Sequence, residues 1–306
     1  MTSKTRFIRN SPLQLKMASW PIPSLHARDF CLRYTLGGGQ SFRWKSQNEE
    51  EWVGVFGDSV LKFCADDKGQ VQCQVMATVD SSFETIKDRV DQFLRIEVNL
   101  QDLYSCWSGR DGYFSSLAPQ VPGIRILKQD PVETVFAFIC SANNNIPRIT
   151  GMIDKLCKHY GEHIGEALGT SCYSFPLPCQ LADAGIEEEL RDLGFGYRAK
   201  FITQTAKIIS EKGADWLNGL RDGCEYVEAR EALMQLPGVG SKVADCVCLM
   251  GLDKLEAVPV DTHVWKVSQQ HYGFNSASKT RTLTDKLYME IGECHGTQLD
   301  PLATVN

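Results

Sequence analysis

Leu233-Met234-Gln235-Leu236-Pro237-Gly238-Val239-Gly240-Ser241-Lys242-Val243-Ala244 reads as the end of one helix, a tight turn and the start of a second. Pro237 cannot continue a helix, so the first is expected to stop at Leu236. Gly238 and Gly240 allow backbone angles that other residues resist. Ser241 then opens the second helix. From Gly238 through Val239 and Gly240 to Lys242, the amide N–H groups are expected to point outward near a helix N-terminus. That makes an anion site suited to one nucleic-acid phosphate, a grip that carries no sequence information. The turn alone fits an ordinary helical hairpin equally well. Leu-Pro-Gly-Val-Gly followed by a small residue and a lysine is a far narrower pattern.

Lys242 falls in the first turn of the second helix. The helix dipole disfavours a positive charge there, and desolvation by a bound nucleotide would disfavour it further. A neutral amine in that place is a nucleophile able to form a Schiff base. For a lysine taken at random, a surface contact with phosphate is the plainer role. Downstream, Ala257-Val258-Pro259-Val260-Asp261-Thr262-His263-Val264 is an extended segment followed by a helix start. Asp261 is expected to cap a helix running from Thr262 to His271, which alone explains an aspartate here. A carboxylate facing a sugar would also stabilise positive charge as a base departs.

Outward from this centre the chain divides. In the first third, Gln40 to Trp44 alternates like a strand, and Trp52–Phe56 and Val60–Cys64 flank a Gly57-Asp58 turn signal. Gln70 to Val75 places Val71, Cys73 and Val75 on one face. These runs predict an antiparallel meander. Phe83, Ile86, Val90, Phe93 and Leu94 recur at helical spacing after Ser81 and Ser82. From Asp130-Pro131-Val132-Glu133, a capped helix start, the pattern turns helical and is expected to stay so, with helices stopping at Gly161, Gly194 and Gly213. The fold class is therefore α+β, an antiparallel-sheet N-terminal domain at 18–125 followed by an all-α body at 126–292. A basic arm at 1–17 precedes them and a short tail at 293–306 follows.

The arm carries Lys4, Arg6, Arg9 and Lys16 with no acid before Asp29, and it reads equally as a disordered arm or a weak mitochondrial address. The net charge of −6 argues weakly against a nucleic-acid partner but does not decide it, because a protein can grip DNA with one face. No apolar run approaches a membrane span. The 12 cysteines are scattered, several of them (Cys140, Cys157, Cys246, Cys248) within apolar segments. They read as reduced, intracellular thiols, and none has zinc-site spacing with histidine.

Taken with Gly39-Gln40-Ser41-Phe42-Arg43-Trp44, Asn143-Asn144-Asn145-Ile146-Pro147-Arg148-Ile149-Thr150-Gly151, Gly194-Phe195-Gly196-Tyr197-Arg198-Ala199 and Lys242-Val243-Ala244-Asp245-Cys246, the chain resembles the 8-oxoguanine DNA glycosylase/AP lyase family of the helix-hairpin-helix class over residues 20–292. The resemblance implies a base-excision repair enzyme that removes 8-oxoguanine opposite cytosine. Lys242 would be the nucleophile of a Schiff-base β-lyase and Asp261 its electrostatic partner. Gly39 would offer a carbonyl to the N7 hydrogen that only the lesion carries, and Cys246 would touch the lesion base. Flipping the lesion out of the stack leaves a gap and an orphan cytosine. Asn143 would plug the gap, Tyr197 would wedge it, and Arg148 and Arg198 would donate to the cytosine. Gly238, Val239, Gly240 and His263 would hold phosphates. Taken singly, each of these could be an ordinary surface or core residue.

The resemblance further implies that no cofactor or catalytic metal is required. Some relatives carry a four-cysteine iron–sulfur cluster after the hairpin, but only Cys294 follows Asp261 here, so no such cluster is expected. The implied partner is double-stranded DNA with 8-oxoguanine opposite cytosine, bound by a monomer with no membrane association. The implied place is the nucleus, with the mitochondrion as alternative. From Glu293 the chain departs from the family, which continues into an aromatic-rich helix that supplies a Gln and a Phe to the lesion pocket. Losing that wall would expose apolar surface near Cys246 and Val264. It would also fit a DNA-binding but catalytically impaired form. A superfamily glycosylase for another damaged base is the third reading.

Overall fold

The computed structural model describes residues 18–299 other than 49, 214 and 275–282. The basic arm at 1–17 and residues 300–306 lie outside the described residues. The N-terminal part holds β1 (Ser19–His26), α1 (Leu32–Gly37), β2 (Trp44–Asn48), β3 (Glu51–Phe56), β4 (Ser59–Ala65), β5 (Gln70–Thr78), α2 (Phe83–Leu94), α3 (Leu100–Arg110) and α4 (Gly112–Leu117). The strands form one antiparallel sheet in the order β1-β5-β4-β3-β2. Val71, Cys73 and Val75 of β5 are buried as their alternation predicts. They pack beneath α2, which buries Ile86, Val90, Phe93 and Leu94 and is capped by the Ser82 side chain.

The body follows with α5 (Pro131–Ser141), α6 (Ile146–Tyr160), β6 (His163–Ala167), β7 (Thr170–Tyr173), α7 (Pro178–Leu181), α8 (Ile186–Asp192), α9 (Arg198–Lys212), α10 (Trp216–Gly223), α11 (Tyr226–Met234), α12 (Ser241–Gly251), α13 (Thr262–His271) and α14 (Asp285–Leu299). Helix α5 starts as expected, with the Asp130 carboxylate accepting from the Glu133 amide at 2.8 Å. It runs through the middle of the helical core with Val135 to Cys140 buried, and α12 lies against it. Among the described residues no helix is long and apolar enough to cross a membrane, and no disulfide joins the cysteines.

Two expectations are corrected. The body is not helical throughout, because β6 and β7 form a hairpin that lays Ile164 and Ala167 on the outer sheet face beside Val53 and Val60. Its turn uses Leu168 and Gly169, both left-handed at φ 56° and 70°, and a leucine in that place hides the usual turn signal. Gln40 to Arg43 are not strand residues, as β2 begins at Trp44. The alternation there reflects two cores rather than two faces, since Phe42 enters the helical core and Trp44 enters the sheet core. Between them Arg43 pairs with Glu133 at 3.2 Å and donates to the Tyr173 carbonyl at 2.5 Å, tying the two parts together. Helix α14 runs on past Glu293, where the chain is expected to depart from the family. Cys246 is buried, and Val264 is half-buried in a cluster with Val260, Trp265, Tyr288 and Ile291.

Candidate active site

The hairpin between α11 and α12 is built around one left-handed residue. Gly238 has φ 83°, and a Cβ there would lie 2.8 Å from Cγ and Cδ2 of Phe201. Glycine is thus required both by the dihedral and by the approach of α9. Thr205 on α9 secures the turn by donating its hydroxyl to the Pro237 carbonyl at 3.0 Å. The predicted ring of outward amides is corrected at Val239. Its side chain is buried and its N–H closes the turn onto the Leu236 carbonyl at 3.1 Å. Among the described residues, the amides of Gly238, Gly240, Ser241 and Lys242 meet no acceptor within the protein, and Gly240 at the N-cap brings no side chain to cover them. An N-terminus of that kind is complementary to an anion.

Lys242 is half-buried one residue inside α12. Its Nζ rests over the Phe138 ring, 5.1 Å from the centroid, and its ammonium reaches the Cys246 thiol one turn along the same face. Phe138 in turn meets the edge of Phe42 at 5.8 Å. A line of contacts therefore connects the nucleophile candidate to the loop that carries Gly39. Burial pushes the Cys246 thiol up to about 11, against the opposing pull of Lys242. At neutral pH the group beside Lys242 is therefore a neutral thiol, a small packing surface rather than a competing nucleophile. Asp261 is the N-cap of α13, as its sequence context predicts. One carboxylate oxygen accepts from the amides of His263 at 2.8 Å and Val264 at 2.9 Å. Its charge also acts on Cys246 from across the site. The His263 ring stands at the exposed start of the helix.

The remaining predicted residues gather on the turns before α6 and α9. Asn143 is exposed and left-handed at φ 47°. Asn145 caps α6 by accepting from the Arg148 amide at 3.0 Å, leaving the Arg148 guanidinium exposed. Tyr197 is 50% exposed and donates its hydroxyl to the Ala142 carbonyl at 3.2 Å. Gly39 has φ 85°, and a Cβ there would meet Ile146 at 3.1 Å, so the lesion-recognition candidate lies beside the first residue of α6, just past the Asn143 turn.

Arg198 does not stand where a free donor would. It is 3% exposed, and its guanidinium donates to the carbonyls of Ala142 and, at 3.2 Å, Asn143. It also stacks on Tyr197 at 4.6 Å. Its Nε is buried without a partner. In this conformation Arg198 shapes the Asn143 turn from within rather than presenting itself outward. Phe138, Phe42 and Phe201 were missed as site residues, because apolar residues in apolar periodic runs carry only a core signal. A cavity of about 510 Å³ lies elsewhere, at the seam lined by Trp44, Phe56, Arg89 and Glu133, and holds none of the predicted site residues. Among the described residues, no three His, Cys, Asp or Glu side chains converge as a metal site.

The HhH-GPD superfamily model, of base excision DNA repair proteins, matches residues 136–293, which include both Lys242 and Asp261. The chain belongs to this superfamily. The HhH-GPD match begins directly after a second one, to the N-terminal domain of 8-oxoguanine DNA glycosylase, at residues 24–135. The N-glycosylase/DNA lyase of Saccharomyces cerevisiae is 37% identical over 265 residues, 81% of this chain and 70% of that protein. The N-glycosylase/DNA lyase OGG1 of Arabidopsis thaliana is 38% identical over 279 residues, 90% of this chain and 74% of that protein. Among solved structures, the apo form of the Clostridium acetobutylicum 8-oxoguanine glycosylase/lyase superposes with a TM-score of 0.75 at 26% identity. It covers 93% of this chain and 96% of that one. The likeness to that structure thus spans the sheet domain and the body together.

Proposed function

We propose that this HhH-GPD protein is a base-excision DNA glycosylase with β-lyase activity that removes 8-oxoguanine opposite cytosine from double-stranded DNA. The carrying observation is the meeting of Lys242, Cys246, Phe138 and the Asp261 charge at one end of α12, beside a hairpin whose amides suit a phosphate. The names of the relatives support the substrate. They include a Clostridium acetobutylicum enzyme described in complex with DNA containing cytosine opposite 8-oxoguanine.

The chemistry assigns each group a task. Lys242 attacks the anomeric carbon with its nitrogen lone pair as the bond to the base breaks; the base leaves with the electrons of the broken bond and takes up the proton that the attacking amine gives up. Asp261 stabilises the positive charge that builds on the sugar. Ring opening gives an imine on Lys242. Loss of a proton from the neighbouring sugar carbon then expels the 3′ phosphate and nicks the strand. Gly39 accepts from the lesion's N7 hydrogen, and Cys246 packs against the flipped base. Asn143 and Tyr197 occupy the gap and Arg148 serves the orphan cytosine. Arg198 is assigned first to the turn beneath them, and its service to the cytosine requires it to leave that turn. Gly238, Gly240 and His263 hold phosphates, with Val239 as the turn's buried support. The reaction draws on no cofactor or metal, and the protein acts as a monomer in the nucleus, with the mitochondrion as the second site.

The test is a panel of duplexes with 8-oxoguanine opposite cytosine or adenine, with other damaged bases, and undamaged. Excision and nicking of the 8-oxoguanine:cytosine duplex above all others is the expected result. Preference for another lesion would move the chain to a different glycosylase of the superfamily. Tight binding with no excision would identify the DNA-binding, catalytically impaired form.

A further inference from the structure

Helix α14 brings Tyr288 into the space between the two catalytic elements. The ring is 5% exposed, packed with Val260, Trp265 and Ile291. Its hydroxyl donates to Oδ2 of Asp245 at 2.5 Å and accepts from the Val260 amide at 3.2 Å, so both of its hydrogen-bonding functions are engaged. Asp245 is fully buried on α12, three residues beyond Lys242. Its other oxygen accepts from Arg230 Nε at 2.9 Å and Tyr226 at 2.8 Å, which fixes the carboxylate in place. Val260 immediately precedes Asp261 in a segment with no helix or strand, so its buried amide depends on this partner.

We propose that Tyr288 is a positioning residue for the excision step, its one hydroxyl setting the segment that carries Asp261 in register with the helix that carries Lys242. The Asp261 carboxylate is held locally by its own helix cap, but α13 as a body has to be placed relative to α12. The Val260–Tyr288–Asp245 link does this through buried bonds that water does not reach. Burial and the neighbouring Asp245 charge push the Tyr288 hydroxyl far up, so it remains a donor at any working pH. The last helix therefore contributes to the reaction without touching the substrate.

This inference rests on Asp261 acting at the sugar. The test uses the full chain, measuring single-turnover excision of 8-oxoguanine, duplex affinity and Tm for Tyr288→Phe, Tyr226→Phe and Asp261→Asn. Tyr288→Phe keeps the ring and removes both bonds. A misplacement of under about 1 Å is expected to slow the chemical step about 10- to 100-fold while duplex affinity stays within about threefold. Tyr226→Phe removes a bond to the same carboxylate but leaves Val260 held, so it lowers Tm while keeping the rate within about twofold. A wild-type rate for Tyr288→Phe, or equal losses for the two tyrosine variants, overturns the proposal. Full activity of Asp261→Asn instead overturns the role of Asp261, whatever Tyr288 does. If Tyr288→Phe does not fold, Asp245→Asn weakens the link from its other end. It should show the same loss of rate with binding kept, and binding and rate falling together would overturn the proposal.

Discussion

Replacing Gly238 with alanine strikes the hairpin at its one left-handed residue. A Cβ raises the cost of φ 83° by about 1–2 kcal/mol. The same atom would lie 2.8 Å from Cγ and Cδ2 of Phe201 and 2.9 Å from its Cβ. Phe201 is braced by the edge of Tyr197 at 5.9 Å, so it cannot move without disturbing that side chain. Overpacking of this kind adds about 1–3 kcal/mol. The total, about 2–5 kcal/mol, is read by urea denaturation of the protein alone. Phe201→Ala clears the ring atoms but leaves the dihedral cost and the 2.9 Å approach to the Cβ of residue 201, so the double variant should recover about 1–2 kcal/mol, part of the overpacking, relative to additivity. Duplex affinity should fall with Gly238→Ala, because Tyr197 and the turn amides shift together. A loss below about 1 kcal/mol, or strict additivity with Phe201→Ala, would refute the assignment of the glycine to both constraints.

Three further outcomes are expected. Gly39→Ala meets only the flexible end of Ile146, so it costs about 1 kcal/mol in stability, mostly from its dihedral. It should nonetheless slow 8-oxoguanine excision far more than nicking at a pre-formed abasic site, and equal slowing of both would sink the recognition role. Arg198→Met removes donors from the Ala142 and Asn143 carbonyls and should destabilise the DNA-free protein by about 2–3 kcal/mol. An unchanged Tm would show that Arg198 does not hold the turn. Burial pushes the thiols of Cys140, Cys157 and Cys248 from near 9 up to about 12 and that of Cys246 to about 11. Above pH 9 the unfolded thiols ionise while the folded ones keep their protons. Stability therefore falls as pH rises, by about 1 kcal/mol per thiol between pH 9 and 10. Denaturation midpoints across that range test it, with a shallower slope for Cys140→Ala; a flat profile would contradict the burial of these thiols.

Much of the fold was legible where local chemistry decides local structure. Asp130 and Asp261 cap their helices as read, and β5 buries Val71, Cys73 and Val75 as the alternation from Gln70 to Val75 requires. The hairpin was legible because Pro237 and Gly238 leave the backbone few options. What escaped was set by distant partners. Gln40 to Trp44 alternates between two cores that the chain assembles only later. Val239 looked like one more outward amide until the turn closed on Leu236. Arg198 turns inward because the Ala142–Asn143 carbonyls converge on it from another loop. Tyr288 sits in a helix of mixed polarity, and nothing near it in sequence points to Asp245 or Val260.

The central claim is that Lys242 forms the covalent bond to the sugar. Peptide mapping by mass spectrometry, after borohydride reduction of the protein on an 8-oxoguanine:cytosine duplex, tests it most directly. The account predicts a deoxyribose adduct on the peptide containing Lys242 and its loss in Lys242→Gln. An adduct on a different lysine, or strand nicking by Lys242→Gln at the wild-type rate, would contradict it.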